Sequence, residues 1–169
     1  MTGGTGERKA QLRERLARGR EEFLGAVAAL DAADLARPVG AESAWTAKDL
    51  IGHVAYAEAS MLPMIEGPLA GQPFKVRPDF DLDRWNESRV RRASEQAVPD
   101  LLARLEESRR QTLARLDAMD DADLDRPTSH PRAPETTVEG IYRIIAGHER
   151  DHAAELRAVR ASGGLRTQD

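Results

Sequence analysis

The sequence predicts an all-α fold, on three observations. Four long stretches carry apolar residues at helical period, no segment keeps a period-two alternation, and aromatic residues make up only 4% of the chain. A core so short of aromatics is built from Leu, Val, Ile and Ala, which suits packed helices better than stacked sheets. At 169 residues the chain reads as one domain, 1–169, with flexible tails expected at 1–6 and 163–169.

The first helix is expected from Glu7 to Leu30. Leu12, Leu16, Phe23, Val27 and Leu30 are spaced by threes, fours and one seven, and Arg37-Pro38-Val39-Gly40 turns the chain. The second runs from Thr46 to Ile65. Thr46 and Asp49 make a capping box with Asp in place of Glu, Trp45 is placed to staple onto Leu50, and Leu50, His53/Val54, Ala57 and Met61 form the inner stripe. Pro63, Gly67, Pro68 and Gly71 are expected to fray or end it, opening a Gly- and Pro-rich linker over 67–80. A short helix follows from Asp81 to Ala93.

The third long helix runs from Pro99, suited to a first helical position, to Met119, with Leu102, Leu105, Thr112, Leu116 and Met119 on one face. A loop holding Pro127, Pro131 and Pro134 leads to the fourth, Val138 to Ala161. Thr136 or Thr137 is its cap, Ile141, Ile145, His148, His152, Leu156 and Val159 its stripe, and Gly163-Gly164 its end. No β-sheet is expected. Leu30-Asp-Ala-Ala-Asp-Leu-Ala-Arg-Pro38 echoes the stretch from Leu116 to Pro127, and each is followed by a Thr cap and a helix with an inward His. The echo suggests two helix pairs related by an approximate two-fold.

Composition narrows the function. Net charge is −4 and the Arg residues are interspersed with Asp and Glu, so no nucleic-acid partner is expected. No run of about 18 apolar residues exists and residues 1–11 carry no apolar signal core, so no membrane partner is expected and a cytoplasmic location is the default. The absence of cysteine leaves His and carboxylates as the only strong metal ligands.

Three of the four histidines fall on apolar helix faces. His148 and His152, four apart, project from one face, a spacing that puts two imidazoles on one cation, and His53 completes a three-imidazole face if the second and fourth helices pack together. Burying an imidazole without a partner costs on the order of 1–3 kcal/mol, a cost that a shared cation turns into binding energy. Three protein ligands leave coordination positions open, as at a catalytic site. His130, in its Thr-Ser-His-Pro loop, reads as a surface residue.

Residues 148–152 also match H-E-x-x-H, in which two His bind zinc and the Glu is general base to a bound water. The context weighs against a zinc peptidase. Only Glu155 and Asp169 follow as carboxylates, the first too close and the second terminal, and the sheet that would bind a peptide is missing. Peptidase is the minor alternative. Glu149 stays the candidate catalytic base, against a plain reading as an exposed helix Glu paired with Arg.

Trp45-Thr46-Ala47-Lys48-Asp49-Leu50-Ile51-Gly52-His53 and Gly147-His148-Glu149-Arg150-Asp151-His152 resemble the two motifs of the DinB-like (DinB/YfiT-like) superfamily of metal-binding four-helix bundles. The resemblance implies a four-helix bundle with a long crossover between helices 2 and 3, and one divalent metal on His53, His148 and His152. Zinc or nickel leads, with iron or manganese as alternatives. It also implies a metal-dependent enzyme acting on a small molecule: an S-transferase using an exogenous low-molecular-weight thiol, or a hydrolase, and a homodimer. Many members carry a further His beside the last ligand, where this chain has Asp151 and Ala153. The alternative from another class is a non-enzymatic bundle that binds a metal or a small ligand in stress or resistance. Trp45, Tyr56, Trp85, Asn86 and Tyr142 are candidates to line the site, and Asp49 or Asp151 to orient an imidazole.

Overall fold

The computed structural model describes residues 6–164. The long helices are α1 (Glu7–Ala28), α3 (Ala47–Leu69), α5 (Val98–Ala118) and α6 (Val138–Gly164), with the shorter α2 (Ala32–Leu35) and α4 (Leu82–Ser94) between them. α1 lies along α6, and α3 packs against α4, α5 and α6. The approach of α1 to α6 is close: a Cβ on Gly19 would stand 2.6 Å from the Ala146 carbonyl oxygen, so only glycine fits.

The core has two apolar layers. One holds Phe23, Leu50, Ile51, Val54, Leu101, Leu105, Leu156 and Val159, the other Leu12, Leu16, Met61, Ile65, Leu116, Ile141, Tyr142 and Ile145. Their order along each helix gives the topology. α1 and α6 run from the second layer to the first, α3 and α5 from the first to the second. α3 and α5 are therefore parallel, and parallel neighbours need a long connection; residues 70–97, with α4 inside, supply the crossover the sequence led one to expect. Each half is a helix, an Asp-capped turn and a second helix. The Asp31 N–H donates to Asp34 (3.2 Å) in α2, and the Asp120 N–H to Asp123 (3.0 Å) in a 3-10 turn over Asp121–Asp125. The two halves run in opposite senses, as a two-fold across the bundle requires.

Between the layers lies one charged residue from each long helix: Arg20, Glu58, Arg109 and Glu149. Arg109 donates to Glu58 (2.9 Å) and Glu149 (2.8 Å), and Arg20 bridges the same two carboxylates at 2.8 and 2.7 Å. Arg20 and Arg109 also donate to the Leu105 and Leu16 carbonyls, so the buried charges are both paired and hydrogen-bonded.

Several expectations need correction. α3 runs past Pro63 and Pro68 to Leu69. Pro68 cannot donate to the Met64 carbonyl one turn back, and the Thr128 hydroxyl donates to that oxygen instead, at 2.7 Å. Thr128 sits on a two-stranded antiparallel hairpin, β1 (Pro127–His130) and β2 (Ala133–Thr137), where no sheet was expected. Its strands are too short, and too broken by proline, to carry an alternating pattern. α1 ends at Ala28, before Leu30, and α5 begins at Val98, with Pro99 in its first turn. Thr137 is the cap of α6, accepting from the Gly140 N–H at 3.2 Å, and α6 takes in Gly163 and Gly164 instead of ending there. The expected tails otherwise lie outside the described residues, apart from Gly6, the N-cap of α1.

Candidate metal centre

The capping box starts α3 where the sequence placed it. Thr46 Oγ1 accepts from the Asp49 N–H (3.2 Å), and the Asp49 carboxylate accepts from the Thr46 N–H (2.9 Å). Asp49 is thereby used as a cap and is not an imidazole acceptor. Two turns on, His53 is buried on the side of α3 that meets α6, its ring 5.1 Å from that of Trp45. α6 brings up His148 and His152 from a single face.

The three rings converge through their Nε2 atoms. His53 and His148 Nε2 are 2.9 Å apart, His148 and His152 Nε2 are 3.1 Å apart, and one nitrogen from each ring lies within 4.8 Å of the others. Two nitrogens on one zinc ion at about 2.0–2.1 Å stand roughly 3.3 Å apart, so the cluster is within a few tenths of an ångström of a metal site. Burial, followed by the charges of His152 and Arg132, pushes the His53 imidazole down to about 3. Burial also holds His148 well below the usual histidine range, followed by His152 and His53. Both are neutral at neutral pH, the form whose lone pair binds a cation. His152 Nδ1 is 3.0 Å from Glu155 Oε2. A carboxylate there can only accept, so Nδ1 is the donor in this contact, and the ring presents Nε2 toward the other two imidazoles. Glu155, set aside as a ligand in the sequence, is the residue that orients one. The donor set fits a divalent cation.

The three histidines form part of the wall of a cavity of about 630 Å³ between α3, the 72–80 segment, α4, the hairpin and α6. Trp45, Trp85 and Asn86 line it as expected, together with Met61 from the inner stripe of α3 and with Met64, Phe74 and Phe80, which sequence reasoning missed because they lie off that stripe or in an irregular segment. Tyr56 and Tyr142 do not line it. The Tyr56 hydroxyl accepts from Gln96 (2.7 Å), and Tyr142 is a fully buried core residue donating to the Thr112 carbonyl (3.2 Å). Asp151 is on the rim, bonded to Arg150 at 3.3 Å.

Two site residues stand differently from their sequence reading. His130 is buried rather than on the surface: it lines the cavity, and its Nδ1 accepts the Arg132 N–H at 3.2 Å. Burial, then the Arg132 charge, lowers its pKa. Glu149 does not face the cavity and is not exposed either. Only 2% accessible, it gives its two carboxylate oxygens to Arg20 and Arg109 inside the bundle, so the base of the H-E-x-x-H reading is turned away from the imidazoles and tied up in ion pairs. The peptidase alternative falls with it.

The DinB superfamily profile matches residues 41–156, from before the capping box to past His152. The chain belongs to the DinB superfamily. No curated protein sequence matches this DinB member significantly. Among solved structures it is similar to YfiT from Bacillus subtilis, proposed to be a metal-dependent hydrolase with an unusual four-helix-bundle topology: TM-score 0.79, 20% identity, 97% of this chain and 92% of that one. It is similar also to the colibactin self-resistance protein ClbS, solved with double-stranded DNA (TM-score 0.71, 15% identity, 90% and 95%). A third is a mycothiol-dependent maleylpyruvate isomerase (TM-score 0.69, 16% identity), of whose length this DinB chain spans 60%. At these identities the likeness is one of fold. The DNA in the ClbS structure nevertheless sits against the expectation, drawn from charge pattern, that such a bundle has no nucleic-acid partner. No described helix of this DinB protein is long and apolar enough to cross a membrane.

Proposed function

We propose that this protein is a metal-dependent enzyme that turns a water molecule or an exogenous thiol on a small molecule held in the cavity, as a hydrolase or an S-transferase. The observation that carries this reading is that the three Nε2 atoms converge on the wall of a 630 Å³ cavity and not inside the packed core. A structural site closes its coordination with protein ligands, whereas three ligands beside a cavity leave room for a reactant. A divalent cation there, zinc or nickel first, would supply Lewis acidity that brings a bound water or thiol toward its anionic form near neutral pH.

The chain's own residues do the rest. Glu155 orients the His152 ring through Nδ1, and Trp45 lies against the His53 ring. Phe74, Trp85, Met61 and Met64 exclude water around the reactants. The chain has no cysteine, so thiol chemistry needs a small-molecule thiol from outside. The hydrolase proposed for YfiT and the thiol dependence of the maleylpyruvate isomerase support one branch each. A non-enzymatic binding role is the second reading, favoured by the size and apolar lining of the cavity and by the self-resistance role named for ClbS.

The test is metal content by inductively coupled plasma mass spectrometry, on protein purified without a nickel column, beside His53→Ala/His148→Ala. We expect about one equivalent of a transition metal in the parent and none in the variant. No metal, and no uptake of zinc, nickel or manganese, would overturn the reading. The metal-loaded protein is then assayed for thiol transfer and ester hydrolysis, where turnover of neither kind favours the binding role.

A further inference from the structure

Resting on the reading of this cavity as the reactant site, we propose that it selects a flat apolar molecule bearing a carboxylate or similar anionic group, with Arg132 as the anchor for the anion and Lys75 beside it. The cavity is chemically two-sided. Trp45, Met61, Met64, Phe74 and Trp85 offer apolar surface for a ring. Its charged lining residues are Lys75, Arg77, Arg132 and Asp151. Arg77 is bound by Asp79 at 3.0 and 2.6 Å, and Asp151 is bonded to Arg150. That leaves Lys75 and Arg132, whose side chains have no hydrogen-bond or ion-pair partner among the described residues. The uncompensated charge on the cavity wall is therefore positive.

Arg132 is also well held for the purpose. It sits at the tip of the hairpin, where its own N–H is bonded to the buried His130 ring, and the hairpin is tied to α3 through Thr128 and the Met64 carbonyl. The turn fixes where the side chain starts, and the planar fork of its guanidinium matches a carboxylate through two parallel hydrogen bonds. An anion fixed at Arg132 lies in the same cavity as the three imidazoles, so the anchor sets which part of the molecule meets them.

The test is calorimetric titration of the purified protein with naphthoate and with its neutral isostere naphthamide, before and after dialysis against a chelator. We expect naphthoate to bind about tenfold more tightly than naphthamide, with the preference falling to about twofold or less in Arg132→Gln. The preference should survive chelation. Trp85→Leu should weaken both probes alike. Equal affinities in the parent, a preference unchanged in Arg132→Gln, or no effect of Trp85→Leu on either probe would overturn the proposal. So would a preference that vanishes on chelation, because the carboxylate would then be bound by metal instead of arginine. Arg132 is exposed, and an unaltered melting curve shows that its replacement leaves the fold in place. A chain that binds no metal would still show the Arg132-dependent preference, so failure of the metal reading is told apart from failure of this one.

Discussion

Arg109 on α5 donates to one carboxylate oxygen of Glu149 on α6 at 2.8 Å, immediately after His148 in the chain. The same arginine holds Glu58 on α3, five residues past His53. The helices that carry the three histidines are thus fastened to each other through α5, beneath the cluster. Removing one partner would leave buried carboxylates uncompensated. Arg109→Met is expected to cost about 3–5 kcal/mol, and adding Glu149→Gln to recover part of it, since the layer then loses a charge of each sign. Urea unfolding followed by circular dichroism measures both. A change of less than about 1 kcal/mol in the single variant would show that the layer is not the fastening inferred here.

The same placement separates two roles for Glu149. A general base replaced by an amide loses turnover and keeps its fold. Glu149→Gln in this structure breaks a charge-assisted pair in the interior, so its melting temperature should fall. Full stability with lost activity would return Glu149 to the part the H-E-x-x-H match suggested.

The helices and the three-histidine cluster were legible because period and spacing carry them: His148 and His152 are one turn apart, and Thr46 and Asp49 fix where α3 begins. The charged layer left a fainter mark. The step of seven between Leu16 and Phe23 holds Arg20, and the step of seven between Leu105 and Thr112 holds Arg109, so each break in an apolar stripe was an arginine turned into the charged layer, Arg109 buried and Arg20 partly so. Nothing in local sequence shows that two such breaks meet across the bundle. His130, Arg132 and Lys75 were out of reach for the same reason: the crossover and the hairpin reach the cavity by tertiary packing, which periodicity does not report.

Thr128 and Pro68 make a second testable pair. Thr128→Val leaves the buried Met64 carbonyl without a donor and should cost about 1–3 kcal/mol. In a Pro68→Ala background a backbone N–H becomes available one turn after Met64, and the penalty for Thr128→Val should shrink. A double-mutant cycle by thermal unfolding reads the difference. Strict additivity would mean that the hydroxyl does not stand in for the missing N–H.

Acid sensitivity should pass through Glu139. The Arg8 guanidinium first, and Arg143 after it, hold this carboxyl below the usual range, with Arg8 Nε at 3.2 Å and Arg143 Nε at 3.0 Å. A carboxyl whose folded pKa is lowered favours the fold above its unfolded value of about 4.3, and the contribution disappears as pH falls through the lower folded value. Glu139→Gln should therefore melt below the parent at neutral pH, with the gap closing as pH drops below about 4. A gap that is constant with pH would show that the α1–α6 tie owes nothing to the charge of Glu139.

His53 gives the sharpest contrast between function and stability. Its ring is buried, its pKa is down at about 3, and its Nδ1 has no hydrogen-bond partner among the described residues. Without a cation that imidazole is a cost to the fold; with one it is a ligand. In chelator, His53→Leu should be more stable than the parent by about 1 kcal/mol, because an apolar side chain of similar size replaces an unpaired polar one. With zinc added, the parent alone gains binding energy and the order should reverse. Urea midpoints in the two conditions decide it. A variant less stable than the parent in both would make His53 a packing residue, and a variant more stable in both would leave the cluster without a metal to hold.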